Sequence, residues 1–267
     1  MAKGKQSANK DRPAELTYWH ETRQPIYSLA FVLPMVLVYE VGIVLVNGPI
    51  AATRGYGVRI SSDVLLRGVM EELFSRLGLG GIVMSGMLVV LVLVVWQLAS
   101  RRPWKLQPWM LGAMLGESVV LALAYCLVVK VFIDPLVVMT IENDQFPFLQ
   151  SPLFKEVVVF FGAGVYEEFV FRLILIGLVA LIVRGMTGAS WKVGTFVGIV
   201  LAALAFSAVH YVGLVGQDFT WLSFVGRTGA GLFFGTVYYY RGFAVAAGTH
   251  ALFDVFVTLF FAHARGT

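Results

Sequence analysis

Charge is scarce in this chain: Asp, Glu, Lys and Arg make up 13% of its 267 residues, against roughly 25% in an ordinary soluble domain. With 58% hydrophobic residues and a mean hydropathy of +0.81, that scarcity excludes a conventional water-soluble globule and places the chain in the membrane class. Cysteine is scarcer still. The single Cys126 excludes an intrachain disulfide and, inside an apolar run, reads as a small buried hydrophobe. A basic face with interleaved aromatics is also missing. The formal charge of +4 and pI near 9.2 come mostly from the first 25 residues and from short loops between apolar runs. That is the distribution of positive-inside topology, and it points away from nucleic acid as a partner.

What is there is a series of apolar runs. Residues 1–25 form a polar, basic tail expected on the cytoplasmic side, with His20 beside Trp19 as an interfacial group. The first apolar run, Ile26 to Val46, is opened by Pro25 and lacks a small-x-small cleavage pattern at its end, so it reads as a retained span. It contains Glu40, for which pairing with an arginine is expected. A Gly-rich connection follows, and Ser61 or Ser62 can cap an amphipathic segment within 63–78. Further spans are expected at Gly80–Leu98, Leu111–Ile133, Lys155–Val183, Val193–His210, Trp221–Tyr240 and Phe243–Ala262. Arg101, Arg102 and Lys105, with Trp104 and Trp109 as anchors, mark a cytoplasmic loop. Residues 134–154 contain acids and no Lys or Arg, as outer loops do. The expected fold is therefore all-α, a polytopic membrane helix bundle of seven or eight transmembrane helices, with 63–78 as an amphipathic or re-entrant helix. Leading spans occupy 26–154, a helix core 155–262, and a short tail 263–267. Gly231 and Gly235 form a GxxxG suited to a close helix contact.

Inside the run Gly162–Ile176, GAGVYEEFVFRLILI, stand Glu167, Glu168 and Arg172. Each ionisable group at the centre of a membrane helix costs roughly 2.5–3.5 kcal/mol on the lenient scales, so such groups face a protein interior or a hydrated cavity. Glu168 and Arg172 are four apart and share a face, whereas Glu167 points to another. The next span closes on Phe206-x-x-x-His210, and the last holds His250-x-x-x-Asp254. Only four histidines exist in the chain, and two lie here; His263 reads as interfacial. Two carboxylates and two imidazoles from three helices can converge on a water. Glu168, Arg172, Arg227 and Asp254 can equally form a structural ion network, and spacing alone leaves hydrolysis and ion passage open.

These three pieces, in this order and each within an apolar run, resemble the motifs of the CPBP family, the membrane-embedded proteases that include the CAAX prenyl endopeptidases and the bacterial Abi proteins. One motif alone is weak: Glu71-Glu72-Leu73-Phe74-Ser75-Arg76 satisfies the first pattern without matching partners downstream. The resemblance covers about 155–262 and implies an intramembrane endopeptidase of glutamic type, hydrolysing a peptide bond of a membrane-associated protein or peptide. By that resemblance Glu167, with His210, activates water, while His250 and Asp254 stabilise or orient the oxyanion site. Relatives with Asn at the position of Asp254 have a donor there; a carboxylate accepts only, so Asp254 orients His250 or is itself protonated. Arg172 is expected to pair with Glu168 or to tether a substrate carboxylate. The family is also described as metalloproteases, so zinc on the same residues is the alternative to the metal-free mechanism favoured here. No His-Glu-x-x-His is present. A non-enzymatic scaffold or transporter is the remaining alternative. Bacterial members imply an inner (cytoplasmic) membrane location with the amino terminus inside, and work in peptide maturation, bacteriocin self-immunity or protein sorting.

Overall fold

The computed structural model describes residues 14–47, 76, 85–133, 153–212 and 218–263. The Gly-rich connection over 48–60, the cap at Ser61 or Ser62, the segment 63–78 apart from Arg76, the loop over 134–152 and the tail 1–13 lie outside the described residues.

An apolar run inside a bilayer must satisfy its backbone groups within itself, and helices do so. Among the described residues the regular structure is helical throughout. A short α1 (Ala14–Glu21) leads into α2 (Pro25–Asn47), α3 (Ser85–Ser100) and α4 (Pro108–Val128), the last widening into a π-helical turn over Val129–Ile133. The rod α5 joins three stretches: Leu153–Glu167, the π-helical Glu168–Ile176, and Gly177–Thr187. It ends at Gly188, whose φ of 68° takes the left-handed cap. Ser190 then caps α6 (Trp191–Val209) by accepting from the Val193 amide at 3.4 Å, and Thr220 caps α7 (Trp221–Arg241) from the Ser223 amide at 3.2 Å. Gly242 (φ 84°) makes the corner into α8 (Phe243–His263).

Four of these helices are long and apolar enough to cross a membrane: Pro25–Val46, Pro108–Val131, Lys155–Thr187 and Trp191–Val209. Ser85–Ser100 and Phe243–Leu259 are shorter apolar helices. The sixth expected span, α7, carries Arg227, Arg241 and several glycines, which lowers its hydropathy. The first residues of the second expected span fall outside the described set. The molecule is a helical membrane bundle.

At its centre runs α8, packed on α2, α4, α5 and α7 through Ala244, Val245, Ala246, Ala247 and Ala251, all buried. Small side chains let the backbones approach, which is how helices gain contact when the solvent is hydrocarbon. The close contact expected of Gly231 and Gly235 is present. A Cβ at either would stand 2.7 Å from Ala203 Cα or 2.9 Å from Ile199 Cγ2, both on α6.

Two carboxylates, one buried and one half-buried, tie the leading helices to this core. Glu40 on α2 accepts from the Gly86 amide and the Tyr166 hydroxyl, each at 2.8 Å, and from Ser85 at 3.2 Å, joining α2, α3 and α5. Glu117 on α4 receives Tyr18 Oη at 2.8 Å and Arg241 Nη2 at 2.7 Å, with Arg241 Nε on its other oxygen. Arg241 also donates to Thr22 at 3.3 Å and lies 3.8 Å above the Trp19 ring. The short α1 is thereby fastened to the middle of α4 and the last residue of α7. His20 stands exposed, 3.7 Å from Glu21.

Candidate active site

The two glutamates are positioned by a backbone contact one turn earlier. Gly164 on α5 lies against α8 so closely that a Cβ there would come 2.6 Å from the Ala247 carbonyl oxygen. The rod then passes into its π-helical stretch at Glu168. Such wide turns shift the phase of the side chains and occur often at functional sites.

From that stretch Glu168 Oε1 meets two groups at once. Arg172 Nη1 is 3.1 Å away, four positions along α5, and His250 Nδ1 is 2.7 Å away on α8. A carboxylate accepts, so Nδ1 is the protonated nitrogen in that bond. The other imidazole nitrogen, Nε2, faces Glu167 Oε2 and Asp254 Oδ2, each at 3.7 Å. Those separations exceed a direct hydrogen bond but fit a contact bridged by water. Glu167, Glu168, Arg172 and His250 are all buried, with Arg172 and Glu168 at 0% exposure.

Aromatic rings wall the cluster. Phe234 of α7 stacks on His250, centroids 4.4 Å apart and planes 13° from parallel. The Arg172 guanidinium lies 4.6 Å over Phe206 and 5.7 Å over Phe234, in cation–π range of both. None of its three nitrogens makes a hydrogen bond among the described residues, and Glu168 Oε2 and Thr249 Oγ1 are likewise buried without one.

The structure thus brings Glu167, Glu168, Arg172, His250 and Asp254 together. His210, at the close of α6, is joined less directly. Its Nδ1 donates to the Phe206 carbonyl at 2.7 Å, and the Phe206 ring touches both imidazoles, 5.0 Å from His210 and 6.1 Å from His250. Two features differ from the sequence reading. The hydrogen bond to His250 comes from Glu168, expected only as a partner of Arg172, and Asp254 stands farther off. Phe234, which no spacing singled out, forms one wall. An aromatic in an apolar run carries no local signal of such a role.

Among the described residues no group of three His, Cys, Asp or Glu side chains is placed to hold a metal ion, and His250 Nδ1 is engaged by Glu168.

Residues 149–256 match the family model described as type II CAAX prenyl endopeptidase Rce1-like. Neither a curated protein nor a solved structure matches the chain. The matched segment contains Glu167, Glu168, Arg172, His210, His250 and Asp254, and over it the chain is similar to the CAAX-type membrane proteases.

Proposed function

We propose that this protein is an intramembrane endopeptidase that uses Glu167 as its general base on a peptide bond of a membrane-associated protein or peptide. The observation that carries the reading is the approach of Glu167 and Asp254 to one imidazole nitrogen, 3.7 Å each, while the other nitrogen is anchored at 2.7 Å by Glu168. A water bridging Glu167 and His250 sits in a buried, polar recess. Polar atoms buried without protein partners, such as Glu168 Oε2, are the kind that internal water satisfies.

In this mechanism Glu167 takes a proton from the water as its oxygen bonds to the scissile carbonyl carbon. The developing oxyanion is received by His250, which in its charged form donates from Nε2. Asp254 faces that same nitrogen and supports the charged imidazole. Glu167 then returns the proton to the amide nitrogen as the C–N bond breaks. His210, oriented by its own helix carbonyl, keeps Nε2 free to help place the water. Glu168 and Arg172 are positioning residues, since they act through His250. Substrates are prenylated or otherwise membrane-held peptides that enter between helices, and the protein sits in a bacterial inner membrane with its amino terminus in the cytoplasm.

The test is cleavage of a membrane-held peptide by reconstituted wild type and Glu167→Gln, with and without chelator, products being read by mass spectrometry. Loss of the base lowers turnover by about 10²–10⁴-fold, with the variant folded and the wild type indifferent to chelator. Chelator-sensitive turnover would move the chemistry to zinc. Undiminished cleavage by Glu167→Gln would remove this glutamate from the mechanism, and absence of cleavage by wild type over a panel of prenylated and unmodified peptides would favour a scaffold or transporter.

A further inference from the structure

Four tryptophans gather at one end of the bundle. Trp19 belongs to α1, Trp96 to the last turns of α3, Trp104 to the following loop and Trp109 to the start of α4, and all are exposed. Tyr18 stacks on Trp109 at 6.1 Å, and Tyr27 Oη accepts from the Gln107 amide at 3.1 Å, so these segments share one level. Indoles in this position mark the headgroup layer of a bilayer.

Between α1 and the end of α3, at that level, lies a cleft of about 680 Å³ lined chiefly by Trp19, His20, Arg23, Gln24, Trp96 and Arg102. No carboxylate lines it among the described residues, and neighbouring Glu21 is engaged with Gln24 and His20. Arg23 is held through its side chain and Arg102 through its backbone. Arg23 Nη2 donates to the Tyr239 carbonyl at 3.1 Å, which fixes the side chain. On the other wall, α3 stops at Arg101, whose φ of 53° is left-handed, and fully buried Gln97 donates from Nε2 to the Arg102 carbonyl at 3.0 Å. A left-handed non-glycine held from inside is an imposed conformation. It sends the chain past the cleft at Arg102, whose guanidinium has no carboxylate partner among the described residues.

We propose that this cleft binds the phosphodiester headgroup of an anionic phospholipid. A guanidinium fork matches phosphate oxygens in pairs, and two forks with no opposing carboxylate leave positive charge for an anion to neutralise. Basic recesses at the cytoplasmic end of membrane helices take such headgroups. The basic residues Arg101, Arg102 and Lys105 in the adjoining loop put this end in the cytoplasmic leaflet. Free phosphate offers the same oxygens. A lipid is the occupant because the flanking helices expose Leu37, Leu91 and Val95 farther along, surface that acyl chains cover.

The proposal is tested on the whole protein in detergent by native mass spectrometry, titrating phosphatidylglycerol, phosphatidylcholine or inorganic phosphate. Wild type, Arg23→Gln, Arg102→Gln, the double variant and Arg184→Gln are compared, the last removing an exposed cation of α5 that is outside the cleft. Phosphatidylglycerol is expected to bind in preference to phosphatidylcholine, to weaken about fivefold for each cleft arginine removed, and to be unaffected by Arg184→Gln. Equal binding of the two lipids, or equal loss in Arg184→Gln, would overturn the site. Displacement of the lipid by inorganic phosphate at equal concentration would overturn the lipid assignment. Arg23→Gln gives up its bond to Tyr239; if it fails to fold by circular dichroism, Arg102→Gln decides, because the Gln97 contact is to backbone and survives.

Discussion

Arg241 and Arg172 are both buried arginines facing a glutamate, yet they differ in nearly every polar contact. Arg241 grips both oxygens of Glu117 through Nε and Nη2, adds Thr22, and lies on the Trp19 ring, while Tyr18 fills a further lone pair of the same carboxylate. That is a bidentate pair in which, of the guanidinium nitrogens, Nη1 alone is buried without a bond among the described residues. Arg172 touches one oxygen of Glu168, makes no hydrogen bond with any nitrogen among the described residues, and shares that oxygen with His250. A buried charge without its full set of partners is expensive. The cluster around Arg172 is therefore held at a loss of stability, for which the chemistry proposed for His250 and Glu167 would account, whereas the Arg241 cluster is a clasp.

Removing one partner from each cluster is the strongest way to break this contrast. Arg241→Met leaves Glu117 facing Tyr18 without a cation and is expected to cost about 3–5 kcal/mol, the range for an orphaned buried charge. Because Glu117 keeps some exposure, 18%, the lower end applies. The measurement is denaturant- or heat-induced unfolding in detergent, with cleavage by the folded fraction retained. Equal stability of variant and wild type would reduce the clasp to a surface contact.

Replacing both members of the inner pair sharpens the contrast from the other side. Glu168→Gln with Arg172→Met removes two desolvated charges that are poorly matched, and such exchanges are often neutral or stabilising by about 1–4 kcal/mol. Methionine also keeps contact with Phe206 and Phe234 through its sulfur. Turnover should fall at least about tenfold, because His250 loses a charge-assisted bond worth roughly 1.5–3 kcal/mol, with the loss in kcat and not in KM. A double variant as destabilised as Arg241→Met would mean that both pairs serve the fold.

The parts of this arrangement that were legible in the sequence are those with a local period. Glu168 with Arg172 and His250 with Asp254 are both four apart on a helix, and both pairs are found at 3.1 Å and 3.7 Å. The helical class followed from hydropathy alone. What was not legible crosses between helices. Which of two adjacent glutamates turns toward α8 depends on the π-helical phase beginning at Glu168, and that is invisible to a regular helical wheel. Glu117 and Arg241 lie 124 positions apart, and no local spacing joins them. The stack of Phe234 on His250 has no sequence mark at all. The segment 63–78, which carries the decoy Glu71-Glu72, lies outside the described residues.

A smaller effect separates the clusters by pH. Tyr18, on α1 outside the spans, has its phenol pushed up to about 12, first by burial and then by the hydrogen bond and charge of Glu117. A group whose folded pKa lies above its unfolded value, about 10 for tyrosine, gives stability that is whole below that value and lost as pH rises through the folded one. Tyr18→Phe keeps the ring on Trp109 and removes only the hydroxyl, so it should cost about 0.5–1.5 kcal/mol, the lower end being favoured because Arg241 still holds Glu117. The gap between wild type and Tyr18→Phe should stay constant up to about pH 10 and close as pH approaches 12, with tyrosinate absorbance of wild type lagging by one residue over the same window. The gap between wild type and the Glu168/Arg172 double variant should show no such dependence on a phenol, since among the described residues none donates to Glu168. If the Tyr18 gap instead closes well below pH 10, the phenol is not donating to Glu117, and the clasp reduces to the arginine fork alone.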